Sequence, residues 1–243
     1  MKFLTKLIKR VILSLLNQRT KFFLRNLKKK YSAFSAYLRI KKYVNFDNGF
    51  IIECGANDGI TNSNSYYLEK NRNWKSLLIE PSEKFKELIL IRNKRSHNYN
   101  NAATSFKNEN KYIDFIYLGL MTTAMDKNIQ TDISDTKKFV EFGKRHLKNH
   151  REKSHTFTVK GKSLTSMLDE IKAPSTIDFF SLDTEGMTIE VLEGIDFKKY
   201  IFKYILVEAY NFDKVSNYLL TRDYKFIEKI QFDYIFSHKN FCK

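Results

Sequence analysis

The hydrophobic pattern of the chain changes near residue 47. In residues 3–16 apolar side chains recur every three or four positions, which predicts an amphipathic helix. From residue 47 onward, short continuous apolar runs such as "FIIEC" and "SLLIE" alternate with segments of helical periodicity. Such runs are typical of strands buried on both faces. The alternation predicts an α/β fold with a doubly wound, mostly parallel sheet.

The same hydrophobic pattern predicts the remaining strands and helices. Strands are expected at "HNYNNAAT", 111–118, "HTFTVKG", "IDFFSLD", "YILVEA", "YKFIEKI" and "DYIFSHK". Helices are expected at 63–71, 81–92, 136–149 and "SLTSMLDEI", from about 187, and after "YILVEA". Ser63 or Asn64 is the expected cap of the first of these helices. Only Gln231 and Phe232 separate the last two strands, too few residues for a crossover helix. We therefore expect the sheet to end in an antiparallel hairpin strand.

Residues 119–154 interrupt this rhythm with a loop and one helix. Connections of this length are uncommon in compact domains unless they serve as lids or substrate loops. We expect residues 1–46 to form a helical arm and residues 47–243 to form one domain, with 119–154 as a variable insertion.

Most of the net charge of +16 comes from the arm. Residues 1–46 hold 13 Lys and Arg and no acidic residue, whereas the rest of the chain carries 30 basic and 27 acidic residues. The arm's apolar stripe is consistent with packing on the domain or on a second subunit, and also with lying on an anionic membrane face. Nucleic-acid binding is the least favoured alternative, because the aromatic residues fit a helix face better than a stacking platform.

Cysteine and hydropathy patterns predict a cytoplasmic protein. Cys54 and Cys242 lie 188 positions apart, which offers no disulfide framework or zinc spacing. The longest charge-free stretch of the arm, residues 11–18, is far shorter than the ~20 residues that span a bilayer. No small-residue cleavage site follows it. Peripheral contact at the inner membrane face through residues 1–46 is the alternative kept open.

Acidic residues recur at the ends of the predicted strands, where parallel sheets bind ligands. They are Glu53, Glu80, Asp183, Glu185 and Glu208. Acids in buried strands require a partner, so their repetition predicts a site at this edge of the sheet.

The segment "ECGANDG" follows the first strand. Gly55 and Gly59 permit a sharp turn and the close approach of a ligand to backbone amides, and Asp58 can bond a ligand or cap the turn. The spacing lacks the G-x-G-x-x-G phosphate fingerprint, and alone it is also consistent with an ordinary tight turn. Glu80, 21 residues beyond Gly59, is placed to accept hydrogen bonds from ribose hydroxyls. Together these features predict an adenosyl ligand.

Residues 50–239 resemble the FkbM-type methyltransferases. The resemblance is carried by "IIECGANDGITNSNSYYLEK", "WKSLLIEPSEKFKEL", "NNAA", "KSLTSMLDE", "IDFFSLDTEGMTIEVLEGI" and "YILVEAY", in the family's order and spacing. It implies a Rossmann-like class I methyltransferase fold that binds S-adenosylmethionine and transfers its methyl group, usually to oxygen and often on a sugar or small metabolite. The arm and much of 119–154 lie outside the resemblance.

The resemblance also implies which residues bind the cofactor. The methionine half would be held by Glu53, Gly55, Ala56, Asn57, Asp58 and Gly59, the ribose by Glu80, and the adenine by Pro81, Asn101 and Ala102.

Asp183, Glu185 and Glu208 are the candidate catalytic residues. Asp183 is the first candidate for the base that takes the acceptor proton, and Glu185 the second. If the strand continues through "SLDTE", these two side chains project to one side and raise each other's pKa. Asp183 orienting the substrate or capping the next helix is the alternative.

We predict no metal site. The pair of carboxylates could still bind a divalent cation. His146 and His150 are spaced four apart, but "HLKNH" lacks the glutamate of the zinc-protease pattern, so we interpret it as solvated helix surface.

The function predicted from sequence is S-adenosylmethionine-dependent O-methylation of a saccharide or glycan precursor. The alternatives are methylation of RNA or of another acceptor, and a non-catalytic cofactor-binding scaffold with the same fold.

Overall fold

The computed structural model describes residues 18–92, 96–150 and 152–242. Its helices are α1 (Gln18–Val44), α2 (Tyr66–Asn71), α3 (Phe85–Ile91), α4 (Thr136–His150), α5 (Leu164–Glu170), α6 (Thr188–Leu192) and α7 (Phe212–Leu220). Its strands are β1 (Phe50–Cys54), β2 (Lys75–Ile79), β3 (Ser96–Tyr99), β4 (Ala102–Thr104), β5 (Tyr112–Ile116), β6 (Thr123–Ala124), β7 (Thr156–Ser163), β8 (Thr176–Leu182), β9 (Ile201–Glu208), β10 (Tyr224–Ile230) and β11 (Asp233–His238). The helix predicted at 3–16 lies outside the described residues.

The large sheet has seven strands in the order β10-β11-β9-β8-β1-β2-β3. The pairs β1–β2, β2–β3, β1–β8 and β8–β9 are parallel, whereas β11 is antiparallel to both β9 and β10. The predicted fold class, a mostly parallel α/β sheet with an antiparallel C-terminal strand, is confirmed. Strand order runs outward in both directions from β1 and β8, so the topological switch point lies between them.

Helix α1 covers one face of this sheet. Its buried side chains Tyr37, Ile40 and Val44 fall on one helical stripe and pack in the same cluster as Ile51 of β1 and Phe179 of β8. The C-terminal half of the arm therefore contacts the domain directly. In the described part of the chain, no helix combines the length and the apolar character needed to span a bilayer.

A second, four-stranded sheet in the order β4-β7-β5-β6 was not predicted. The single strand expected at "HNYNNAAT" is two strands, β3 in the large sheet and β4 in the small one. The chain changes sheets at Asn100 and Asn101, whose side-chain amides donate to backbone carbonyls of residues 80, 81 and 160. Which sheet a short strand joins depends on partners distant in sequence, so its local pattern could not divide it.

Two helix starts were predicted too early. Helix α2 begins at Tyr66 and is preceded by Ser65, because the side chains of Ser63 and Asn64 are committed to other contacts described below. Ser63 Oγ nevertheless accepts a hydrogen bond from the backbone N–H of Tyr66 at 3.1 Å. Helix α3 begins at Phe85 rather than at Pro81, since residues 81–84 form a turn.

Candidate active site

A cavity of about 250 Å³ opens at the carboxyl ends of β1, β2 and β8. Its walls come from the loop after β1, the end of β2, the small sheet and the loop after β8. Of the residues singled out from sequence it is lined by Glu53, Gly55, Asn57, Glu80, Pro81, Ala102, Asp183, Glu185 and Glu208. The predicted convergence of strand-end carboxylates is therefore present at the switch point.

The glycine loop after β1 adopts left-handed backbone conformations. Gly55 has φ +84°, Gly59 has φ +76°, and Asn57 between them has φ +48°, a value that asparagine tolerates better than most residues. A β-carbon on Gly55 would lie only 1.9 Å from the carbonyl oxygen of Asp183. The glycine is thus needed for the direct contact between the loops that follow β1 and β8.

Glu80 fixes the glycine loop and borders the cavity. Its buried carboxylate accepts hydrogen bonds from the backbone N–H groups of Asn57 and Ser82, both at 2.8 Å. Burial raises the pKa of Glu80, and these hydrogen bonds oppose the shift. The carboxylate is therefore oriented before any ligand arrives.

Glu53 is held from the opposite side by the segment before α2. Its buried carboxylate accepts hydrogen bonds from Ser63 Oγ and from the backbone N–H of Asn64, both at 2.8 Å, and from Ser65 Oγ. Although Glu53 lines the cavity, both its oxygens are occupied by this segment. In this structure Glu53 positions the segment before α2, and its direct contact with the methionine half of the cofactor stays a prediction.

A buried arginine supports both loops and was missed in the sequence analysis. The Arg92 guanidinium, 2 % exposed, donates to both carboxylate oxygens of Glu69 at 2.9 and 2.6 Å. It also donates to the Gly59 carbonyl at 2.7 Å and to Ser65 Oγ at 2.6 Å. No local pattern distinguishes Arg92 from a solvated residue at a helix end, because its role depends on partners more than 20 positions away.

Four of the predicted cofactor residues do not line this cavity. They are Ala56, Asp58, Gly59 and Asn101. Asp58 Oδ1 accepts hydrogen bonds from the N–H groups of Ile60 and Thr61, and its Oδ2 lies 2.8 Å from Lys29 Nζ. Burial alone would raise the pKa of Asp58, but Lys29 and the loop donors hold it below its usual value. The turn-capping interpretation of Asp58 matches this geometry.

The three candidate catalytic carboxylates lie together. Asp183, Glu185 and Glu208 each place an oxygen within 4.8 Å of the others. The reason given from sequence is wrong, since β8 ends at Leu182 and Glu185 has φ +47°. A turn, rather than a continuing strand, brings Glu185 back beside Asp183.

The neighbouring carboxylates of the cluster disfavour one another's ionised forms. Although the Asp183 side chain is exposed to the cavity, the protein atoms packed around its carboxyl group, together with Glu208 and Glu185, raise its pKa well above the usual range. Burial and Glu208 raise the pKa of Glu185 to about 8, although the Tyr210 hydroxyl donates to Glu185 Oε2 at 2.5 Å and opposes the shift. A positively charged group at this position would favour the ionised forms.

A family model described as the methyltransferase FkbM domain matches residues 53–234. The chain belongs to the FkbM methyltransferase family. This match leaves α1 outside the family domain.

Two solved structures show a distant likeness to this FkbM family member. One is a methyltransferase FkbM from Methylobacillus flagellatus KT, with 14% identity and a TM-score of 0.45, covering 81% of this chain and 48% of that chain. The chain thus spans about half the length of that protein. The other is an S-adenosylmethionine-dependent methyltransferase from Aquifex aeolicus, with 10% identity and a TM-score of 0.41, covering 88% of this chain and 95% of that chain. No curated protein matched the sequence.

FkbM membership implies S-adenosylmethionine as cofactor, and the residues present fit it. Glu80 borders the cavity with an oriented carboxylate, a group that can accept hydrogen bonds from ribose hydroxyls, and Ala102, Ala103 and Phe115 give the cavity apolar surface of the kind that an adenine ring packs on. Asn64 also lines the cavity, and its buried Oδ1 has no hydrogen-bond partner among the described residues. Such an atom is satisfied at low cost by a donor on a ligand.

The insertion 119–154 of this family member forms one wall of the cavity. Gly119, Leu120 and Thr122 line it. The wall is bonded to the loop after β8, because Thr123 Oγ1 donates to the Glu185 carbonyl at 2.7 Å and the N–H of Asp132 donates to the Gly186 carbonyl at 3.0 Å. Movement of this segment as a lid stays a prediction.

Within residues 18–92, 96–150 and 152–242, the cluster of potential metal ligands consists of Asp183, Glu185 and Glu208 and contains no histidine. Three carboxylates at this spacing suit a divalent cation as well as the cationic centre of a sulfonium compound. The sequence-based expectation of no metal therefore stays a prediction.

Proposed function

We propose that this protein is an S-adenosylmethionine-dependent O-methyltransferase whose acceptor is a hydroxyl of a saccharide or glycan precursor. The observation that carries the proposal is the placement of Asp183, with its raised pKa, in one cavity with the glycine loop and Glu80. Family membership supports the chemistry of methyl transfer.

Each part of the cavity would hold one part of the cofactor. Glu80 would accept the ribose hydroxyls, while Pro81 and Ala102 would border the adenine. Asn64 Oδ1 would accept a hydrogen bond from the methionine amino group. When bound, S-adenosylmethionine supplies an electrophilic methyl group beside the carboxylate cluster.

Asp183 is the proposed general base. It would accept the proton of the acceptor hydroxyl as the hydroxyl oxygen forms its bond to the methyl carbon, while the bond from that carbon to the sulfonium sulfur breaks and its electron pair stays on the sulfur. The raised pKa of Asp183 makes its ionised form a stronger base than the carboxylate of an ordinary aspartate. Glu208 and Glu185 would hold the acceptor in line with the methyl group, which is the larger contribution in a direct displacement.

The acceptor class follows from the chemistry of the cluster together with the family. An ionised carboxylate can accept hydrogen bonds but cannot donate them, and the hydroxyl groups of one molecule can donate to several carboxylates at once. No cationic side chain among the described residues lines the cavity to pair with an anionic acceptor, and those of Asp183, Glu185 and Glu208 that are ionised would repel it. A neutral, hydroxyl-rich molecule matches this site best.

The test is to incubate purified protein and S-adenosylmethionine, labelled in its methyl group, with fractionated cell extract. We expect label in saccharide or lipid-linked saccharide that survives mild alkali, because a methyl ether is stable there and a methyl ester is not. Label recovered in RNA or protein, or released as methanol by alkali, would contradict the proposal. The Gly55→Ala variant is the matched inactive control.

Peripheral membrane binding through the arm is a separate proposal. Helix α1 packs one face on the domain and leaves Leu27 and Tyr31 exposed, so the basic residues that precede it are tested separately from α1 itself. Liposome flotation of the full chain should fall when Lys2, Lys6, Lys9 and Arg10 are all replaced by Gln, using vesicles that contain anionic lipid. Equal flotation of both proteins removes the idea.

A further inference from the structure

A second cavity, of about 170 Å³, adjoins the first at the carboxylate cluster. The two cavities share Asn62, Asn64, Ser181, Asp183 and Glu208. The second is bounded instead by α1 and by the turn between β10 and β11, which contribute Arg39, Phe232 and Asp233. The glycine loop and Glu80 do not border it.

We propose that this second cavity binds the methyl acceptor, and that Arg39 and Phe232 recognise a neutral sugar ring in it. The inference rests on the proposed function, because it assigns the first cavity to the cofactor. A donor and an acceptor that meet at Asp183 from two adjoining cavities have the arrangement that an in-line displacement requires.

The polar groups of this cavity are complementary to hydroxyls. When they are ionised, Asp183, Glu208 and Asp233 accept hydrogen bonds and cannot donate them. The Arg39 guanidinium donates hydrogen bonds and cannot accept them. A hydroxyl group does both, so neighbouring hydroxyls of one ring can bond a carboxylate and the guanidinium together. Among the residues that line this cavity, the cationic side chain is Arg39, and it already pairs with Asp233, so no unpaired cation is available for a phosphorylated or carboxylated acceptor.

Arg39 is held in place by the hairpin. Its Nη1 donates to Asp233 Oδ2 at 3.1 Å and to Gln231 Oε1 at 3.2 Å. The Nε and Nη2 donors have no partner among the described residues. A guanidinium fixed by two bonds on one nitrogen loses little further conformational freedom when it binds a ligand.

Phe232 presents an aromatic face at the edge of the same cavity. It is 80 % exposed at the tip of the β10–β11 turn, an unusual position for a large apolar side chain. The negative face of an aromatic ring attracts the weakly positive C–H face of a sugar, and stacking also removes apolar surface from water.

Helix α1 is placed for this role by contacts with the cofactor side. Lys29 Nζ bonds Asp58 Oδ2 at 2.8 Å, and Ser32 Oγ accepts from the N–H of Asn62 at 3.1 Å. Helix α1 therefore spans from the glycine loop to the hairpin. Since Arg39 precedes the residues that match the family model, the family pattern alone does not supply it.

The test uses the full chain saturated with S-adenosylhomocysteine and saturation-transfer NMR with neutral methyl glycosides as probes. We expect at least one glycoside to bind, and its affinity to fall roughly tenfold in Arg39→Gln and in Phe232→Ala. Lys42→Ala removes another α1–hairpin ion pair, and Ile227→Ala trims another exposed hairpin side chain, yet neither residue lines the cavity. Both controls should bind as the wild type does.

Calorimetry with S-adenosylhomocysteine distinguishes failure of the acceptor-site proposal from failure of the proposed function. Unchanged nucleoside affinity in Arg39→Gln and Phe232→Ala, with weakened glycoside binding, supports the acceptor site. Absence of glycoside binding to the saturated wild type, or equal binding to all variants, overturns it. Failure of the wild type to bind S-adenosylhomocysteine overturns the proposed function instead.

Discussion

The carbonyl oxygen of Asp183 lies 1.9 Å from the position that a β-carbon at Gly55 would occupy. The loop that would bind the cofactor and the loop that carries the candidate base are therefore in direct backbone contact at the centre of the sheet. Their separation is fixed by two adjacent strands, β1 and β8, so the geometry of the site depends on this contact.

Gly55→Ala should disable the site. The new methyl group collides with a backbone atom, and alanine is also strained at φ +84°, at a cost of about 1–3 kcal/mol for the conformation alone. Displacing the two loops should lower methyl transfer roughly 10²-fold or more. Calorimetry with S-adenosylhomocysteine should show greatly weakened binding.

Gly143→Ala is the matched control. Gly143 lies inside helix α4, and its added methyl group would crowd side-chain atoms of the buried Leu118, from Cδ1 at 2.8 Å to Cβ at 3.2 Å, rather than backbone. We expect a lower thermal midpoint but wild-type cofactor affinity. Equal loss of affinity in the two variants would show that the Gly55 contact has no special role.

Asp183→Asn should separate catalysis from binding. If Asp183 takes the acceptor proton, its amide replacement should lower kcat about 10²- to 10⁴-fold and leave the affinity for S-adenosylhomocysteine within a few-fold of the wild type. Rates can be measured with the acceptor fraction found in the labelling experiment. A variant that keeps most of its kcat would make Asp183 an orienting residue, the alternative raised from sequence.

The affinity for S-adenosylmethionine should increase with pH. In the free protein burial and neighbouring carboxylates raise the pKa of Asp183, and they raise that of Glu185 to about 8, so protons must leave before a cation is fully stabilised. Binding should therefore strengthen from pH 6 and level off above about pH 8, by up to about tenfold per pH unit for each proton released.

S-adenosylhomocysteine is the control for this effect, because it lacks the sulfonium charge. Titrations of both compounds at pH 6, 7, 8 and 9 should give the steeper dependence for S-adenosylmethionine. Parallel pH profiles would indicate that the carboxylates do not face the sulfonium.

Arg92→Met should destabilise the fold strongly. Removing the guanidinium takes the Arg92 charge away from the buried Glu69 carboxylate, and breaking a buried ion pair typically costs about 3–5 kcal/mol. Thermal unfolding should show a midpoint lower by about 10 °C. The double variant Arg92→Met with Glu69→Leu should recover part of the loss; an unchanged midpoint in the single variant would contradict this role for the network.

The mostly parallel sheet, its antiparallel terminal hairpin and the convergence of carboxylates could be predicted because all three follow from short, local patterns. Buried apolar runs mark β1, β2, β8 and β9, and the two-residue gap before β11 permits only a hairpin. Glu80 and Asp183 immediately follow such runs, so the parallel sheet places them at one edge.

What the sequence could not predict depends on contacts between distant segments. The pairing of β4 with β7 and the Arg92–Glu69 ion pair join residues far apart in the chain, and the choice among the partners predicted for the arm depends on such contacts too. Arg39 was interpreted only as part of the basic arm, since nothing near it in sequence indicates a cavity. Asn64 was predicted as a helix cap because nothing near it in sequence indicates its contact with Ser181.

The most direct test of the account is a crystal structure of the protein with S-adenosylhomocysteine. We predict the nucleoside in the first cavity, with the ribose hydroxyls on Glu80 and the sulfur facing Asp183 and Glu208, while the second cavity stays open to an acceptor. A nucleoside bound elsewhere, or bound with its ribose away from Glu80, would contradict the assignment of this cavity to the cofactor.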